Sequence, residues 1–372
     1  MQVSREQVMA FRVTAQGLAR EATSVDELAV LDIGVQQAMG HPAAFAFAAR
    51  LPDGSDVTPP IGPGEDLALA WTLRGAPHVH RRRDLDGLAA ALVPLSEADA
   101  TGRLNETGPS VARKGLPALE QYATAVRELR AAVPKPTAKG TVSTVVTRNI
   151  PEGMRRECRA CGTSHISDSA MRAAFLGAGL ELDPDSSPPV LLRRPKAKQP
   201  TRVDPKALAA LARRYLALLG PAGIGDFADY IGARRADVAP VWPDDVETVT
   251  VEGKQLQVVP EDLDALTSAQ RPDLIRLLGP FDPFLQAGDR TLLVPDKAAH
   301  KALWPVLGRP GVLLVDGEIV GLWRSKVTKT RLTLTVEPFA PLPKNVWTQV
   351  EVEAARVGDA RGKDNVEVKR KA

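Results

Sequence analysis

Apolar residues recur at the start of the chain with a helical period. Val8, Phe11, Ala15 and Leu18 fall at three- and four-residue steps behind Ser4-x-x-Gln7, a capping box in which each partner satisfies a backbone N–H at a helix start. Leu28, Leu31 and Val35 repeat the arrangement behind Ser24-x-x-Glu27. A third, short helix is expected from His41 to Leu51, with Pro42 in its first turn. The pattern then changes. Leu67 to Arg74 reads as a buried strand, Gly75-Ala76-Pro77 as a turn, and His78 to Arg83 as an alternating basic strand. Three helices followed by a basic hairpin is the order of a winged helix.

The order recurs twice. An amphipathic helix is expected from Leu116 to Val133, then a short segment at 140–150, a basic hairpin around Arg155 to Cys161, a helix from Ser169 to Gly177 and a closing strand at 189–194. Helices at 204–219, 223–231 and 233–240 precede a strand pair at 246–259. From about residue 270 the pattern turns to short strands. The strongest of these signals is Gly311 to Val315, turning at Asp316-Gly317 into Glu318 to Trp323. Leu332, Leu334 and Val336 alternate on one face after that. The expected fold is α+β: winged helices at 1–106, 107–202 and 203–269, a small β-barrel at 270–345 and a charged, frayed tail at 346–372, together forming a concave DNA-binding surface.

Composition narrows the classes. The hydrophobic fraction is 44%, which supports several cores, and no run approaches the roughly 20 apolar residues of a membrane span. The N-terminus lacks the apolar core of a secretion signal. Cys158 and Cys161 are the two cysteines, which argues against a disulfide scaffold and for a reducing, cytoplasmic and nucleoid-associated setting. The net charge is only +3, but cations come in islands. Arg193, Arg194, Lys196, Lys198, Arg202, Lys206, Arg213 and Arg214 face the single acid Asp204. Smaller islands lie at Arg81-Arg82-Arg83 and at Arg155, Arg156 and Arg159. Taken one at a time these are solvated charges; recurring in successive units, they suit double-stranded DNA as the partner of a monomeric chain.

The runs Leu31-Asp32-Ile33-Gly34-Val35-Gln36-Gln37, Trp71 to His78, Leu278 to Gln286 and Ala302 to Gly311 resemble a bacterial winged-helix family that contains the DNA glycosylases AlkZ and AlkX. The resemblance spans roughly residues 5 to 340. It implies three tandem winged helices and a barrel wrapped around DNA, and removal of bulky N-alkylated purines, including the unhooking of crosslinks. It also implies a catalytic Gln-x-Gln or Gln-x-Asp motif, which falls on Gln36-Gln37-Ala38, and a His-apolar-Pro hairpin element, which falls on His165-Ile166-Ser167. The first glutamine is kept. The third position is alanine and the proline is serine.

Catalytic candidates are therefore Gln36 and Gln37, expected to be adjacent on a helix and about 100° apart. An N-alkylated purine is already cationic, so two amides that orient a water suffice without a strong base. The plainer alternative makes both glutamines ordinary polar residues at a helix end. His78, His80 and Arg82 are expected on one face of a wing strand, and with Arg81, Arg83, Arg155, Arg156, His165, Arg193, Arg194, Lys196 and Lys198 they form the DNA-binding set. Cys158, Cys161 and His165 have zinc-compatible spacing, but three donors fall short of the four of a structural site, so no metal or cofactor is expected. Asp282 sits in a rigid apolar joint, and Trp71, Trp304 and Trp323 read as core. The other reading of the whole is a non-catalytic DNA-binding protein that senses lesions or regulates.

Overall fold

The computed structural model describes residues 1–38, 42–104 and 116–371. The chain is mixed α+β and divides into two compact units, neither a continuous run. The first comprises Met1–Pro59, Arg214–Asp226 and Asp244–Ala372; the second comprises Pro60–Arg213 and Phe227–Pro243. The expected boundary at 106 lies outside the described residues.

In the first unit the Ser4 capping box forms as expected, with both reciprocal hydrogen bonds, and opens the helix Arg5–Ala15. The second does not. Glu27 turns back to the backbone and hydroxyl of Thr23, and the expected helix is two 3-10 turns, Val25–Glu27 and Ala29–Asp32. Gly34, at φ +83°, stops the turn in a conformation that costs a residue with a side chain dearly. His41, the expected start of the third helix, lies outside the described residues; a helix is present at Ala44–Ala48.

The C-terminal part of this unit is an open five-stranded sheet rather than a closed barrel. Its strands run in the order Ile275–Leu278, Gly311–Val315, Glu318–Val327, Leu332–Pro338 and Val366–Arg370. Asp316 and Gly317 have φ of +51° and +87°, the pair of left-handed residues a tight hairpin turn requires. The last strand lies parallel to its neighbour, pairing Leu332 with Val366 and Val336 with Arg370. A parallel pair needs a crossover, and the helix Lys344–Asp359 supplies it. Trp347, Val350, Ala354 and Val357 of that helix pack on Leu313, Leu334 and Val336 of the sheet. The expected frayed tail is therefore part of a core. Alternation at Val366 and Val368 was masked by the surrounding charges.

Two buried ion pairs tie distant segments of this unit together. Arg50 is fully buried, and its guanidinium spends all five donors: two on Asp282, at 2.8 Å each, and three on Gln16 and Ala46. Asp282, expected only as part of a packed joint, is also the cap that accepts the Phe284 N–H. Arg12 likewise grips Asp289 at 2.8 and 3.0 Å and bonds the carbonyls of Gly220 and Pro221. Pairing and hydrogen bonding of this kind are what permit charge in an interior.

The second unit holds an antiparallel sheet in which Pro77–Arg81, Leu67–Trp71, Leu180–Leu182, Val190–Arg193 and Thr137–Ala138 follow one another. Trp71 is buried on it, edge-on to Phe175 at 4.8 Å. Phe175 ends the helix Asp168–Phe175, which packs against Ala118–Ala132. The segment at 140–150 is a full helix, Lys139–Asn149. Arg155–Cys158 and Thr163–Ile166 form a separate two-stranded hairpin. The third pass also has the expected element order: Pro205–Leu219, Ile224–Ile231, Arg235–Val238, then the hairpin Glu247–Val251 and Lys254–Val258.

Candidate functional site

The two glutamines lie on extended backbone, not on a helix. Val35–Gln36 is a two-residue strand that follows Gly34 directly. Side chains alternate along such a chain, so Gln36 and Gln37 take opposite sides, while Ala38 falls on the side of Gln36. Gln37 has structural work: its Oε1 accepts the Ala43 N–H at 2.7 Å, at the head of the helix Ala44–Ala48, which has no other side-chain cap. Gln36 is half-buried, and its side-chain amide has no partner among the described residues. Of the two, Gln36 alone has an amide at liberty to hold a water.

The hairpin Leu67–Trp71 and Pro77–Arg81 departs most from expectation. His78 and His80 do share a face, but the face is inward: they are 3% and 2% exposed. Thr72 Oγ1 stands 3.0 Å from His78 Nδ1 and 3.1 Å from His80 Nε2, and the Ala76 carbonyl is 3.0 Å from the same His78 Nδ1. One assignment satisfies all three contacts. His78 Nδ1–H donates to Ala76 and Thr72, and the threonine hydroxyl donates to His80. Burial holds the His78 pKa down to about 4, against the pull of the Ala76 carbonyl. Arg81 is buried as well. Arg82 leaves the strand and clamps this unit, bonding Glu181 at 2.7 Å, the Glu65 carbonyl at 2.6 Å and the Gly62 carbonyl. Arg83 alone of this island is exposed. The expected wing face is thus a polar interior; a pattern of His-x-His beside a threonine was the signal for it.

The second basic hairpin stays at the surface. Arg155 and Arg156 are half-buried and Arg159 at the tip is exposed. Arg155 Nη2 lies 3.3 Å from the Ile150 carbonyl. Beneath them is a cleft of about 440 Å³ lined by Leu104, Gln121, Met154, Arg155, Arg156 and Ser167. His165 is half-buried, and its Nδ1 is 2.6 Å from the Ile166 carbonyl, a bond that raises its pKa. Cys158 and Cys161 stand beside it, with the ligating atoms of all three residues within 4.8 Å of one another. The His165 side chain, then the N–H of Cys161, lower the Cys158 thiol to about 7. Ser167 has φ −67°, the angle a proline ring imposes, and its hydroxyl caps the helix Asp168–Phe175 by accepting the Ala170 N–H at 3.1 Å. A proline, expected at this position from the resemblance, would adopt the same φ.

A second cleft of about 440 Å³ is lined by Trp71, expected only as core, together with Asp168 and Arg172. Arg172 lies over the Trp71 ring at 5.1 Å and Lys139 at 5.7 Å, and both cations pair with Asp168. The spacing Asp168 to Arg172 is a helical ion pair, the one signal available beforehand. In the basic linker, Arg194 is buried against Asp86 at 3.0 Å, whereas Arg193, Lys196 and Lys198 are exposed.

The described residues include no helix long and apolar enough to cross a membrane. A profile of the family described as AlkZ-like DNA glycosylase matches residues 25–360. The chain is similar to the interstrand DNA cross-link repair glycosylase of Streptomyces sahachiroi, at 28% identity over 173 residues. That match takes in 44% of this chain and 45% of the relative, so it spans less than half the relative's length. The solved structure of the Streptomyces sahachiroi DNA glycosylase AlkZ superposes over 100% of both chains with a TM-score of 0.76 at 20% identity, a likeness of fold. With the profile covering most of the sequence, the chain belongs to the AlkZ-like DNA glycosylase family.

Proposed function

We propose that this protein is a monofunctional DNA glycosylase that removes bulky N-alkylated purines from double-stranded DNA, crosslinked purines included, in the cytoplasm. The observation that carries the reading is the family match over residues 25–360, with Gln36 at its motif position and its amide uncommitted. An N7- or N3-alkylpurine leaves as a neutral base, taking the electron pair of the glycosidic bond. A water held by the Gln36 amide attacks the anomeric carbon, its proton passes to solvent, and an abasic site remains. Positioning, rather than strong base catalysis, is the whole demand, which suits an amide. Gln37 serves the fold beside it, since it is bound to Ala43.

The exposed cations Arg83, Arg193, Lys196 and Lys198, with Arg155 and Arg156, are the DNA-facing set we favour. His78, His80, Arg81 and Arg194 are withdrawn from it by burial. Winged-helix units remain our reading of the repeated helix-then-hairpin order. The test is a duplex oligonucleotide carrying a bulky N7-alkylguanine, assayed for abasic product. Gln36→Ala lowers the single-turnover rate about 100-fold, with binding unchanged. Absence of product across several adducts, with binding intact, overturns the reading. One observation favours the alternative of a non-catalytic lesion binder: Ala38, on the side of Gln36, offers no second polar group.

A further inference from the structure

We propose that Cys158, Cys161 and His165 bind a zinc ion that staples the hairpin Arg155–Cys158 and Thr163–Ile166, with a water at the fourth position. The geometry is built into the strand register. Arg156 pairs with His165 and Cys158 with Thr163, so Cys158 and His165 are diagonal neighbours on one face of the hairpin. Cys161 enters from the turn, where the N–H groups of Cys161 and Gly162 both donate to the Cys158 carbonyl, at 3.2 and 2.9 Å. Gly162 takes φ +62°, a conformation that lets the chain leave the turn immediately after the second cysteine. The N–H groups of Ala160 and Cys161 also point at the Cys158 sulfur, the outer-shell support a metal thiolate needs.

The histidine is prepared in the same way. Its Nδ1 is engaged by the Ile166 carbonyl at 2.6 Å, which fixes that nitrogen as the donor and leaves Nε2 with its lone pair for the metal. The three ligand atoms already lie within 4.8 Å of one another. Small side-chain rotations bring the sulfurs to the ~3.7 Å edge of a tetrahedron with bonds of about 2.3 Å. Two thiolates and an imidazole select zinc over the hard cations.

The hairpin has a use for such a staple. Among the described residues it pairs with no third strand, and its strands are four residues each, a length that is marginal in water on its own. Only Ile166 among the strand residues is buried. A metal bond between the turn and the second strand replaces the missing neighbour.

The test uses the full chain, expressed with zinc and purified anaerobically. Elemental analysis finds equimolar zinc, and replacement by cobalt gives the thiolate charge-transfer band and the visible spectrum of a tetrahedral centre. Cys161→Ser and His165→Ala lose both signals, whereas Ser164→Ala keeps them. Should the variants fail to fold, thiol titration of the parent decides: zinc shields both cysteines from an alkylating reagent, and a chelator exposes both. A parent chain without equimolar zinc that shows no cobalt charge-transfer band overturns the proposal, as does metal content unchanged in the Cys158→Ser, Cys161→Ser double variant.

Discussion

The two basic hairpins of the second unit read almost alike as sequence and end up as opposites. In Leu67–Trp71 and Pro77–Arg81 the polar groups turn inward, because this hairpin is built into a larger sheet and one face of its second strand is buried. Histidine, threonine and arginine are tolerated there only since each finds a partner. In Arg155–Cys158 and Thr163–Ile166 no further strand pairs among the described residues, and the cations stay in or near solvent. Strand neighbours, rather than charge content, decide which basic strand is structural and which is available to a ligand.

Substitutions sharpen the contrast. Arg82→Met has the largest expected effect. It leaves Glu181, which is fully buried, without its 2.7 Å partner and frees the Gly62 and Glu65 carbonyls. Loss of one member of a buried pair costs about 3–5 kcal/mol, and the partial exposure of Arg82 places the loss near the lower end, about 3 kcal/mol. Equilibrium urea unfolding measures it, and a loss under about 1 kcal/mol would contradict the clamp.

Next comes pH. Folded His78 has a pKa of about 4, whereas in the unfolded chain it titrates near 6.5. Below about pH 6.5 the unfolded chain takes up a proton that the folded chain refuses. Stability therefore declines as the pH falls through this window, by about 3 kcal/mol once pH 4 is reached. The comparison of parent with His78→Asn isolates the effect, because asparagine keeps a donor near Ala76 and does not titrate. Equal pH slopes for the two proteins would exclude it.

At the boundary of the second hairpin, Ser167→Ala removes a helix cap and costs about 1 kcal/mol. Ser167→Pro loses the hydroxyl and the backbone N–H, but its ring fixes the φ of −67° already present and restricts the unfolded chain, so it is the milder of the two. At the tip, Arg159→Ala changes stability by less than about 0.5 kcal/mol. It lowers the slope of log binding constant against log salt for duplex DNA by about 1. A stability loss as large as that of Arg82→Met would erase the distinction between the hairpins.

Much of the element order was legible, because amphipathic period and turn chemistry are local. The Ser4 capping box, the Asp316-Gly317 hairpin and the third pass of helices into a strand pair are all where their residues place them. What failed was non-local. Ser24-x-x-Glu27 matches the same capping signature, but Thr23 competes for the glutamate and Gly34 closes the segment. The strand Val366–Arg370 is short and flanked by charge, and only its neighbour Leu332–Pro338 makes it a strand. At the candidate site, the helix expected for Gln36 and Gln37 is an extended chain, which separates the two amides instead of presenting them as neighbours. The burial of His78 and His80 depended on a sheet whose third strand, Leu180–Leu182, lies a hundred residues downstream and carried no pattern of its own.

The way the first unit is assembled from three stretches of chain has a consequence for how the protein is made. Its opening helix finds Asp289 for Arg12, and Arg50 finds Asp282, only after more than 200 further residues have been translated. The strand Gln2–Val3 must likewise await Thr250 and Val251. The second unit, by contrast, draws almost all its residues from one uninterrupted stretch, Pro60–Arg213. On the ribosome the middle of the message therefore matures before its beginning. Meanwhile an apolar N-terminal segment waits with two unneutralised arginines, a period in which closure of a long loop limits the rate and a chaperone has most to offer.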